Sequence, residues 1–225
     1  MRILPLFFCS KNNPAASAAE VTSDNVVGYQ KIDLSNGYNM IGTSFQQISG
    51  NNSISVQNIK ANGLKGYDWV NWEPGDILMI WDASAQGYLT TLYYAGDVQT
   101  DEMTAEGAEA GTWFDMDGNY ETANLTLENG DAFWIISSTE TAKVTISGEV
   151  PSTANSINIM PGYNMIANPY PKSIKINDLA SVSGLTGYDW INWESGDTVM
   201  IWDPASQGYL TTLYYAGDVQ TDEMT

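Results

Sequence analysis

With 225 residues, the chain has room for one large domain or two modest ones, each with a buried core. Its 27 acidic against 8 basic side chains leave a net charge of −19, which repels phosphate backbones and anionic membrane surfaces, so no nucleic-acid partner is expected. It has no histidine and a single cysteine, Cys9; with the commonest general base, the usual zinc ligands and any internal disulfide removed, the expectation is a protein that is not an enzyme.

Residues 1–19 read as a signal peptide. Arg2 precedes a short apolar run from Ile3 to Phe8, and Ala16 and Ala18 have the spacing of an A-x-A cleavage site. Two alternatives stay open: a lipidated Cys9, although Phe8 stands where a lipobox carries a small residue, or a start codon other than Met1. No later run reaches the roughly 18 apolar residues of a membrane span, so no transmembrane segment is expected.

From residue 20 onward the patterns are those of strands. "VGYQKIDL" (Val27–Leu34) and "VTIS" (Val144–Ser147) alternate apolar and polar side chains. "DILMIWD" (Asp76–Asp82) and "AFWIIS" (Ala132–Ser137) are short apolar runs entered through Gly-Asp, as expected of strands covered on both faces. Gly, Asn, Asp and Pro punctuate these runs at intervals near ten residues. "NDLASV" (Asn177–Val182) is predicted to form one helical turn. The fold class is all-β, an antiparallel sandwich or barrel.

The chain repeats itself. "GYNMIG" at Gly37 returns as "GYNMIA" at Gly162, and "GYDWVNWEPGDILMIWD" (Gly66–Asp82) as "GYDWINWESGDTVMIWD" (Gly187–Asp203). "YLTTLYYAGDVQTDEMT" occurs at Tyr88–Thr104 and again at Tyr209–Thr225. The segment from Ala105 to Val150 has no second copy. The predicted organisation is a complete β unit over 20–152 and a partial second copy over 153–225. The partial copy would be a largely unfolded remnant, would borrow strands from another molecule by strand addition to give a homo-oligomer, or would share one permuted fold with the first.

These elements, with "NPYP" (Asn168–Pro171) after the second "GYNMIA" and "GDAFWI" (Gly130–Ile135) near the close of the first unit, resemble a group of uncharacterised secreted all-β repeat proteins of environmental and gut bacteria. In that group a GWN-L-I-x-NP element opens each unit and a G-x-x-F-W-I element comes near its close; "GYNMIGTSF" (Gly37–Phe45) lacks the Asn-Pro. The resemblance implies export to the medium or cell surface and β structure, and it carries no activity or catalytic residues.

Two sites are candidates. Tyr67, Trp69 and Trp72, repeated as Tyr188, Trp190 and Trp193, could stack on sugar rings, or they could be core residues that a repeat keeps for packing. Alternation puts Tyr67 and Trp69 on one side and Trp72 on the other. Asp115, Asp117, Asn119 and Glu121 offer oxygens at alternate positions, a spacing that suits calcium and equally a plain hairpin turn. No other cofactor is expected. The sequence reading is therefore a secreted or cell-surface structural or adhesion-type protein, with a carbohydrate-binding module as the alternative.

Overall fold

The computed structural model describes residues 26–47, 52–96, 108–116, 120–152, 156–176 and 184–217. The predicted signal peptide and the predicted helical turn at Asn177–Val182 lie outside them.

The described chain is all-β and antiparallel. In the first copy it runs through β1 (Val27–Asp33), β2 (Gly37–Gly42), β3 (Ser53–Ser55), β4 (Lys60–Asn62) and β5 (Ile77–Asp82). It continues through β6 (Gly87–Tyr94), β7 (Trp113–Phe114), β8 (Thr126–Glu128), β9 (Ala132–Ser137) and β10 (Lys143–Glu149). The second copy contributes β11 (Thr198–Asp203) and β12 (Gly208–Tyr214). The largest sheet has five strands in the order β2-β9-β5-β6-β7, and a second has three in the order β1-β10-β4. β3 pairs with β8, and β11 with β12.

Between the two larger sheets lies the main core, built from residues that include Leu34, Ile41, Leu78, Leu92, Trp113, Phe133, Ile135, Val144 and Ile146. β9 is buried along nearly its whole length because it runs between β2 and β5. β5 differs from the two-sided burial expected of it. Leu78 and Ile80 point into the core, while Met79 and Trp81 on the other face are half-buried. A one-turn 3-10 helix (Val56–Asn58) fixes β7: Gln57 Nε2 donates to the Trp113 and Ala123 carbonyls at 2.8 and 2.9 Å, and its Oε1 accepts the Trp113 N–H at 3.0 Å.

The repeated segments take the same local geometry. β11 and β12 reproduce the register of β5 and β6, down to the bulge at Ile201/Trp202 that matches Ile80/Trp81. Gln86 and Gln207 in the two hairpin tips both have left-handed backbones, with φ of 50° and 51°. The surroundings differ. β5–β6 sits inside the five-stranded sheet, whereas among the described residues β11–β12 is a two-stranded ribbon. Val199 and Leu213 on it are exposed where their equivalents Leu78 and Leu92 are fully buried.

Candidate functional site

The aromatic residues of the first copy divide between core and surface. In "GYDWVNWE", Asp68 accepts the Val70 and Asn71 N–H groups at 3.0 and 2.9 Å and the Asn71 side-chain amide at 2.9 Å, which closes a tight turn. The turn is pinned by Asp68–Glu73 backbone bonds in both directions and carries Trp72 at φ 59°. Those hydrogen bonds hold the Asp68 carboxyl below its usual range, chiefly through the Asn71 side chain.

Tyr67 and Trp69 point inward. Their rings lie 4.8 Å apart and pack on Phe114 at 5.6 and 4.9 Å, forming a small second core with Ala95 and Ala108. Burial raises the Tyr67 phenol above its ordinary range. Both rings therefore offer no free face to a ligand. Trp72 turns outward, 52% exposed, with Tyr120 at 6.0 Å beside it.

In the second copy the same turn forms around Asp189, which bonds Ile191 and Asn192 at 2.9 Å. Tyr188 and Trp190 again stack at 4.8 Å, but with no counterpart of Phe114 among the described residues Trp190 stays exposed. Trp193 is the most open of the six, at 67%.

For the acidic stretch, Asp115 and Glu121 are described, and the Asp115 N–H donates to the Glu121 carbonyl at 3.4 Å. Asp117 and Asn119 lie outside the described residues. Among the described residues no three His, Cys, Asp or Glu side chains gather as a metal site would require. No helix among them is long and apolar enough to cross a membrane.

Sequence reasoning assigned no role to the Gly-Tyr-Asn segments at Gly37, where β2 begins, and at Gly162. Asn39 folds its side chain back, donating to the Ser35 and Gly37 carbonyls at 2.9 Å and accepting the Ser35 N–H at 2.8 Å. Asn164 does the same with Met160 and Gly162. Each asparagine locks a loop that presents the intervening Tyr38 or Tyr163 backbone outward. Beside the first of these loops lies a recess of about 260 Å³ whose walls include Ser35, Glu140, Pro204 and Gln207.

Compared with known proteins, the chain matches no protein-family model, no curated protein and no solved structure.

Proposed function

We propose that the chain is a secreted or cell-surface structural protein of adhesion type, without enzymatic activity, that self-associates by adding strands to the β11–β12 hairpin. The observation that carries this reading is the exposure of Val199 and Leu213, at 39% and 36%, on a hairpin whose first-copy equivalent buries the same positions completely. β5 and β6 have β9 and β7 along their outer edges, whereas β11 and β12 pair only with each other among the described residues. A hairpin with open edges, an apolar face and no charge before Asp203 is a template for strand addition. The export-type amino terminus and the acidic surface support a place outside the cytoplasm.

Light scattering across a wide concentration range at moderate salt tests it. The mass of the chain should rise with concentration, and Val199→Lys with Leu213→Lys should hold it at the monomer. A wild-type monomer at every concentration would refute self-association.

A second reading rests on the exposed indoles. Trp72 beside Tyr120, and Trp193 in the second copy, present ring faces of the kind that stack on sugars. On a glycan array, Trp72→Ala and Trp193→Ala should abolish binding while circular dichroism stays unchanged. Absence of binding by the wild type removes this reading.

A further inference from the structure

The hairpin tips of the two copies each grip the other copy's Gly-Tyr segment. The Tyr38 N–H donates to Gln207 Oε1 at 2.7 Å, while Gln207 Nε2 and Trp202 Nε1 donate to the Tyr38 carbonyl at 3.1 and 3.0 Å. The same contact recurs with the copies exchanged. The Tyr163 N–H donates to Gln86 Oε1 at 2.7 Å, while Gln86 Nε2 and Trp81 Nε1 donate to the Tyr163 carbonyl at 3.0 and 2.9 Å.

Reciprocity of this kind is the signature of a two-fold axis, where one surface patch meets its own equivalent. Gly42 and Ala167 occupy equivalent positions, and they also meet each other: a Cβ built on Gly42 would fall deep inside contact with the Ala167 methyl. Equivalent residues touching one another mark the axis itself. Gly37 and Gly162 serve the grip in a second way. Their φ values of 96° and 98° suit glycine, and a Cβ on either would collide with the side-chain oxygen of the incoming glutamine.

We infer that the Trp-Gln hairpin tip and the Gly-Tyr segment are a two-fold recognition pair between units, and that the first copy, released from the second, pairs with a second copy of itself through it. Gln86 of each molecule then takes Tyr38 of the other, and Gly42 meets Gly42 with room to spare. In the whole chain both grips are satisfied internally, and the covalent connection keeps them so through its high effective concentration. The pairing is closed, so it yields dimers and not filaments, and it uses a different surface from the β11–β12 edges of the proposed function.

The first copy is a self-contained body: among the described residues the buried members of the main core lie between Leu34 and Ile146, and the sheets of β1 to β10 include no strand of the second copy. Residues 20–152, folded by circular dichroism, should sediment as a dimer. Gln86→Ala should weaken that dimer about ten- to hundredfold, because two glutamines and their hydrogen bonds are lost per pair. Gly42→Ala should break it by placing two methyls on the axis. A folded monomer at all concentrations, or a dimer indifferent to both substitutions, would overturn the inference. Should the fragment not fold, hydrogen exchange in the whole chain decides. Gln207→Ala should speed exchange at the Tyr38 and Tyr163 amides together, and an effect confined to Tyr38 would overturn the two-fold pair.

Discussion

Just ahead of β5 stands Asp76, fully buried, with a carboxylate that joins two distant parts of the chain. Its Oδ2 accepts the Lys65 N–H at 3.0 Å and the Ser137 hydroxyl at 3.3 Å; its Oδ1 accepts the Ser138 N–H and hydroxyl at 2.7 and 2.8 Å. The equivalent Asp197 accepts the Thr186 N–H at 2.6 Å and is exposed to solvent. Truncation at the buried position strands several donors out of reach of water, whereas at the exposed one water replaces the carboxylate. Asp76→Ala should therefore lower unfolding stability by roughly 2–4 kcal/mol, and Asp197→Ala by less than about 1 kcal/mol. Urea titration of the two variants checks this, and equal losses would contradict the assignment of Asp76 as a core tie. Neither residue's importance could be read from its type, since both follow the same Gly in the same motif; the difference is made by Ser137 and Ser138, more than sixty positions downstream of Asp76.

At the scale of elements, the turns carry a pH dependence. Asp68, Asp82, Asp189 and Asp203 each close a turn by accepting local donors, and each is held below the ordinary value of 3.8. The leading causes are the Asn71 side chain for Asp68, the Ser84 hydroxyl for Asp82, the Asn192 backbone for Asp189 and the Ser206 hydroxyl for Asp203. A depressed carboxyl stabilises the fold fully above its unfolded value and loses that contribution as the pH falls through the folded one. Stability should thus decline as the medium is acidified below 3.8. Asp131 has the opposite sign, since desolvation raises it; its contribution is present in acid and lost as the pH climbs through its folded value. Carboxyl NMR titration should find the four turn aspartates on the acid side of 3.8 and Asp131 on the other, and a shared midpoint would refute the assigned causes.

Much of this element structure was legible in the sequence. Alternation located β1 and β10, apolar runs behind Gly-Asp located β5 and β9, and alternation also set Tyr67 and Trp69 on the opposite side from Trp72, the pair turning inward in the fold. Strand partnership was not legible. β1 meets β10 through Val27↔Glu149, and β2 meets β9 through Gly37↔Ser137, pairings set by three-dimensional packing across a hundred residues and not by local pattern. The sequence leaves Trp69 open between a sugar platform and a core residue, and Phe114, far along the chain, decides for the core by packing on it. The glutamines did leave a trace. The two hairpin loops read "ASAQG" and "PASQG", so Gln86 and Gln207 persist while the three residues before them all change. An uncharged side chain kept at an exposed tip reports a contact, here with the neighbouring copy.

For the whole molecule, the near-identity of the two hairpins bears on how the chain reaches its fold. β9 aligns Trp134 and Phe133 opposite Met79 and Ile80 of β5. β11 carries the same Met-Ile-Trp-Asp sequence at Met200–Asp203, and its edge is open among the described residues. A refolding chain thus offers one buried strand two acceptors of almost one sequence, and the wrong choice would be register-perfect and slow to undo. Direction of synthesis resolves the tie, because β5, β6 and β9 have all emerged before β11 exists. A chain diluted from denaturant has no such order, so its first-formed hairpin and its last compete on equal kinetic terms for the strand between them.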